Sequence, residues 1–155
     1  MDVGHFYFLK EEYFEKFTDS KLMKNKEENG RPCFYSFIDK DFGLCWMIPI
    51  SSNVNKYKKV YDNKIKRFGV CHNLLFGEIF GKSKAFLIQN MCPTTFYYIE
   101  EEYLDKNKRT VRIDRFLEQE IILKSRNTLK MVRKGMKLIL PDVLTIESQL
   151  LKELQ

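Results

Sequence analysis

Histidine is almost missing from this chain: His5 and His72 are the only two. Few triads or metal centres built on imidazole are therefore available, and His72, in a predicted strand, reads as a packed or surface side chain rather than a base. There is no G-x-S-x-G elbow, no G-x-x-x-x-G-K loop and no H-E-x-x-H. Gly77-Glu78-Ile79-Phe80-Gly81 resembles a phosphate loop only superficially. The four cysteines, Cys33, Cys45, Cys71 and Cys92, include no C-x-x-C pair and no His-x-x-x-His companion, which excludes the ligand spacing of structural zinc. Each has an apolar neighbour, as small buried thiols do in a reducing compartment. No apolar run approaches the roughly 18 residues of a membrane span, and the amino end carries no secretory pattern. The expectation is a cytoplasmic protein with neither a membrane segment nor a metal or small-molecule cofactor.

Aromatic residues and charge are plentiful instead. Thirteen Phe and eight Tyr stand among 155 residues, 44% of them hydrophobic, enough for one folded domain over 1–155 and too little chain for two comfortable ones. The formal charge of +6 is unevenly spread. Residues 56–67 hold six basic side chains (Lys56, Lys58, Lys59, Lys64, Lys66, Arg67) against Asp62 alone. Residues 106–137 hold eleven, among them Lys106, Arg126, Lys130, Arg133 and Lys134, against three acids. Two such stretches mark a polyanion partner, although each by itself could be a solvated helix face. Tyr57, Tyr61 and Phe68 interleave the first stretch, and aromatic rings stack on unpaired bases, so RNA fits better than duplex DNA. A membrane surface would need an exposed apolar face beside the charge, and the apolar residues near Arg112 suit a core.

Patterning predicts a strand over 5–9, a short helix over 10–17, an exposed loop over 18–30, and a hairpin of strands 33–38 and 44–50 turning at Gly43. A basic helix over 56–66 follows, with Tyr57 and Tyr61 on one face. Strands over 68–75 and 84–91 come next, split by Gly77 and Gly81, with Pro93 closing the second. Glu100-Glu101-Glu102 reads as a solvated helix start. From Ile113 one long helix, or two broken near Ser125-Arg126-Asn127, would bury Phe116, Leu117, Ile121, Leu123, Leu129 and Val132. Gly135 stops it, and Pro141-Asp142 opens a terminal helix. The expected architecture is α+β: a compact domain with a strongly curved antiparallel sheet covered by helices.

The central hairpin carries the candidate chemistry. Arg31 precedes its first strand and Ser51-Ser52 ends its second, so antiparallel pairing brings them together at one sheet edge. A guanidinium and two hydroxyls can hold a phosphodiester and stabilise the charge of a pentavalent transition state without metal. In RNA the nucleophile, the 2′-hydroxyl, comes with the substrate. From the residues alone, Ser51-Ser52 is more often simply a helix N-cap ahead of Lys56, and a non-catalytic RNA-binding protein would share both basic stretches.

At these residues the chain resembles the toxins of type III toxin–antitoxin systems, the ToxN/AbiQ family, and within it the CptN branch. The features run in order: the aromatic strand and helix of 5–17, Arg31-Pro32-Cys33-Phe34, Pro49-Ile50-Ser51-Ser52, the lysine-rich helix with Lys56, Lys58 and Lys59, Asn90-Met91-Cys92-Pro93, then basic helices. The resemblance implies a Kid/MazF-like fold and a metal-independent endoribonuclease that leaves 2′,3′-cyclic phosphate and 5′-hydroxyl ends on cellular mRNA. It also implies inhibition by a repeated RNA pseudoknot, which the toxin trims and binds in a closed protein–RNA assembly, in a bacterial system that aborts phage infection or maintains plasmids. By this resemblance Ser51 and Ser52 are the active-site hydroxyls and Arg31 fills a basic position that is commonly lysine. Because arginine is a poor acid or base, Arg31 is cast as a transition-state clamp, with the proton-transfer residue left open. Tyr13 takes the place of an aromatic near the site, Tyr57 a stacking role, and Lys56, Lys58, Lys59, Lys64, Lys66 and Arg67 phosphate contacts. Arg126, Lys130, Arg133 and Lys134 are assigned to the antitoxin RNA.

Overall fold

The computed structural model describes residues 1–25 and 30–155; part of the loop predicted over 18–30 lies outside the described residues. Among the described residues the chain forms seven strands and four α-helices: β1 (Phe6–Leu9), α1 (Glu11–Lys16), β2 (Cys33–Asp39), β3 (Leu44–Ser51), α2 (Val54–Phe68), β4 (Leu75–Ile79), β5 (Lys82–Phe86), β6 (Cys92–Thr94), β7 (Ile99–Glu102), α3 (Arg115–Arg133) and α4 (Val143–Glu153). The α+β class and the antiparallel sheet are as expected, in the order β4-β5-β3-β2-β1-β7.

β3 organises the sheet. One edge pairs with β2 along most of its length; the other takes β6 at Cys45–Met47 and β5 at Ile50–Ser51. Pro49, which has no N–H to give a ladder, falls between those two partners, and its carbonyl accepts from the Leu87 N–H at 2.9 Å. Alternation explains why β3 reads as an unbroken apolar run. Trp46 and Ile48 face a core shared with Ile121 and Leu129 of α3, whereas Cys45 and Met47 face a second core containing Tyr13 and Phe14 of α1 and Ile146 and Leu150 of α4. A strand buried on both faces has no polar side to show. The β2–β3 register shifts between Tyr35 and Phe37, and the buried Ser36 at that bulge meets Ser125 of α3, Oγ to Oγ, at 2.7 Å. A third, smaller core lies under α2: Tyr57, Cys71, Leu74, Ala85 and Leu87.

Several expectations fail for physical reasons. The predicted strand over 68–75 is the end of α2 followed by irregular chain; Gly69, left-handed at φ 74°, caps the helix. Gly77 does not split a strand but sits inside β4, because a Cβ there would lie 2.1 Å from Leu117 Cδ2 of α3. Pro93 lies within β6, and Ile88–Asn90 is a 3-10 turn rather than strand. Glu100-Glu101-Glu102 belongs to β7, an edge strand paired with β1, where charge is tolerated. Of the two forms expected after Ile113 the single long helix is found, α3 running through Ser125-Arg126-Asn127, but Phe116 and Leu123, expected in the core, are exposed on it, at 79% and 63%. The loop after α1 is not wholly exposed either: Leu22 is buried.

Candidate functional site

The β2–β3 register is what builds the site. Cys33 opposite Pro49 sets the chain before β2 against the end of β3, and the Arg31 guanidinium Nη1 donates to the Ile50 carbonyl at 3.0 Å. The backbone N–H of Arg31 donates to the Asn25 side chain at 3.3 Å, and Asn25 is itself tied to the Leu9 carbonyl at 2.9 Å. Arg31 is thus held at its guanidinium by Ile50 and at its backbone by Asn25, while its buried Nε has no partner among the described residues.

Arg31, Ser51 and Ser52 line one open groove of about 900 Å³, together with Lys82 and Lys84 of β5, Phe80 at the β4–β5 turn, and Tyr103, Asp105 and Lys106 beyond β7. Its far wall is the turn closed by the Leu104–Thr110 bridge, where Asp105 Oδ1 accepts the N–H groups of Asn107 and Arg109 at 2.8 and 2.9 Å. Among the described residues four cations and one carboxylate face this groove, a potential suited to a phosphate chain.

The two hydroxyls are similarly arranged. Ser51 Oγ accepts the Asn53 N–H at 3.1 Å, and Ser52 Oγ accepts from Lys84 Nζ at 2.8 Å. With a lone pair of each oxygen already engaged, each O–H is left to donate toward the groove. The N-cap alternative for these serines is settled by Asn53, whose side chain caps α2 through the Lys56 N–H. α2 therefore starts at Val54, two residues beyond Ser52, and its N-terminal partial positive charge adds to the groove.

The remaining predicted residues divide. Lys56, Lys58, Lys59, Lys66 and Arg67 are exposed on α2, while Lys64 is half-buried and donates to Asn73 Oδ1 at 2.8 Å. Lys130 and Lys134 are exposed on and just beyond α3, and Arg126 lies over the Phe37 ring at 4.6 Å. Two aromatic assignments must be corrected. Tyr13 is fully buried, its hydroxyl donating to the Pro93 carbonyl at 2.7 Å, and Tyr57 is buried against Leu74 and Leu87, so neither ring can meet a base. Arg133 is also reassigned: it is held between Asp39, at 2.8 Å, and Glu147, two buried carboxylates that it neutralises. The cysteines are free and buried as expected. Burial pushes the Cys33 thiol well up and that of Cys92 to about 11, so both stay protonated at neutral pH.

Lys82, Lys84, Phe80 and Tyr103 escaped the sequence reading. Lys82-Ser83-Lys84 after a glycine turn carries a signal that could have found two of them, since alternate residues of a strand share a face.

No protein-family model matches the chain, and no curated protein matches it by sequence. Among solved structures it is similar to AbiQ, described as a lactococcal anti-phage endoribonuclease belonging to the type-III toxin-antitoxin system. The two share 18% identity, and the match covers 97% of this chain and 98% of that one at a TM-score of 0.73. No helix among the described residues is long and apolar enough to cross a membrane. From its first strand to its last helix, this chain has the fold of AbiQ.

Proposed function

We propose that the protein is an endoribonuclease toxin of the ToxN/AbiQ family, acting on cellular mRNA and restrained by a repeated pseudoknot RNA that it processes and holds in a closed assembly. The observation that carries this reading is the convergence of Arg31, Ser51 and Ser52 in one cationic groove, on a fold shared with a type III endoribonuclease over nearly its whole length. Assignment to the CptN branch rests on the ordered sequence motifs.

In this mechanism the substrate's 2′-oxygen bonds to phosphorus as the bond to the 5′-oxygen breaks, leaving a 2′,3′-cyclic phosphate. The 2′-hydroxyl proton passes to solvent. Ser51 and Ser52 donate to non-bridging oxygens, and Arg31 neutralises the added charge, the kind of fixed donor set that lowers such barriers most. Arginine does not release a proton at neutral pH. Lys84, hydrogen-bonded to Ser52, supplies the proton that the leaving 5′-oxygen takes up. No residue of the chain is needed to bind a metal. The exposed lysines of α2 supply phosphate contacts, and Arg126, Lys130 and Lys134 are assigned to the antitoxin RNA.

The test is cleavage of single-stranded RNA by the purified protein in EDTA, beside growth arrest on expression. Wild type is expected to cut and to arrest growth, and Ser51→Ala to lose both while keeping its RNA affinity. Binding without cleavage by the wild type, or an unimpaired Ser51→Ala, would overturn the proposal in favour of a non-catalytic RNA-binding protein.

A further inference from the structure

The β4–β5 hairpin turns on two residues, Phe80-Gly81, between the paired Ile79 and Lys82. Both are left-handed, Phe80 at φ 55° and Gly81 at φ 73°. That is the positive-φ geometry two-residue hairpins favour, and it calls for Asn, Asp or Gly at its first position. A phenyl-bearing residue is strained there. Packing does not account for the choice, because the ring is 60% exposed and belongs to none of the three apolar cores found among the described residues. Both backbone preference and solvation oppose phenylalanine at this turn, yet its ring lines the groove that holds Arg31, Ser51, Ser52 and Lys84. Strain of this kind, persisting at a site, points to use.

We infer that Phe80 is the platform on which an unpaired nucleobase beside the scissile phosphate stacks. The inference rests on the ribonuclease reading and deepens it, since it makes the substrate single-stranded at the cut. The groove favours a nucleobase as occupant: its cations hold the phosphate chain, and a flat ring beside a cationic track is how single strands are gripped without strong base preference. Tyr13 and Tyr57, the aromatics expected to serve this purpose, are buried, whereas Phe80 is open to the groove.

The informative variant is Phe80→Asn, because asparagine tolerates the left-handed conformation and removes an exposed apolar ring. Its melting temperature should rise by about 2–4 °C, while cleavage of an RNA oligonucleotide should fall roughly 5–150-fold, the loss of one base–aromatic stack. Phe80→Trp should cleave like wild type. An abasic nucleotide beside the cut should slow wild type by the same factor and leave Phe80→Asn unaffected. Stacking is read independently of cleavage with 2-aminopurine next to a 2′-deoxy scissile position: binding should quench its fluorescence in wild type and not in Phe80→Asn. Phe80→Asn that cleaves normally, or equal abasic penalties in both proteins, would overturn the platform. A wild type that quenches the probe but cuts no RNA would overturn only the ribonuclease reading, and one that neither quenches nor cuts would overturn both.

Discussion

Replacing Arg31 by methionine separates the guanidinium's chemistry from its contribution to the fold. Among the described residues the Arg31 guanidinium has one donor bond, Nη1 to the Ile50 carbonyl at 3.0 Å, and a buried Nε with no partner. Deleting this charge-assisted bond costs about 1.5–3 kcal/mol net, whereas removing an unsatisfied buried donor returns about 1–3 kcal/mol. The methionine stem keeps much of the apolar contact. These terms nearly cancel, so stability should change by no more than about 1–2 kcal/mol, a melting shift within roughly 8 °C in either direction for a chain of this size. Catalysis has no such compensation. Loss of a fixed donor to transition-state charge typically lowers the rate about 10²–10³-fold, and Arg31→Lys, with one charged point in place of a fork, should fall between. Single-turnover cleavage of an end-labelled RNA, measured beside a thermal melt, tests both halves. Cleavage by Arg31→Met within a few-fold of wild type would refute the clamp. A large drop in melting temperature would refute the structural half.

Lys84→Ala should slow cleavage of ordinary RNA about 10²–10⁴-fold and recover most of that loss on a substrate whose leaving 5′-oxygen is replaced by sulfur, which departs without a proton; an equal deficit on both substrates would show that Lys84 only orients Ser52. Arg133→Met should leave Asp39 and Glu147 buried without their cation, costing about 3–5 kcal/mol by chemical denaturation with RNA affinity of the folded protein unchanged; weaker RNA binding at undiminished stability would restore its assignment to RNA. Gly77→Ala should destabilise the fold through the contact with Leu117, by about 1–3 kcal/mol for overpacking, and a neutral result in the same denaturation assay would show that the β4–α3 contact is loose.

The hairpin was legible because its two signals agree. Two apolar, β-rich runs flank a glycine turn, and that pairing alone brings Arg31 beside Ser51, so half of the site could be placed by counting residues. Lys84 shows in the sequence only as sharing a strand face with Lys82; its place beside Ser52 does not, since β5 reaches β3 only after the chain has made α2 and β4, and no local pattern announces that β3 takes a second partner beyond Pro49. Tyr13 and Tyr57 were misassigned for a related reason: an aromatic among charged residues is exposed on one helix face and buried on the other, and only packing decides which. Arg133 looked free because its partners, Asp39 and Glu147, come from β2 and α4. Gly77 looked like punctuation because Leu117, the side chain that needs its missing Cβ, lies forty residues further along the chain.

In the proposed mechanism the attacking oxygen belongs to the RNA, while the groove holds the linkage, stabilises its added charge and supplies the leaving-group proton. The most direct measurement uses an RNA cut at one linkage, made again with a single 2′-deoxyribose on the 5′ side of that linkage. The modified strand should bind with nearly unchanged affinity and stay uncut at that linkage, and the unmodified strand should yield a 2′,3′-cyclic phosphate. Continued cleavage at the 2′-deoxy linkage would contradict it.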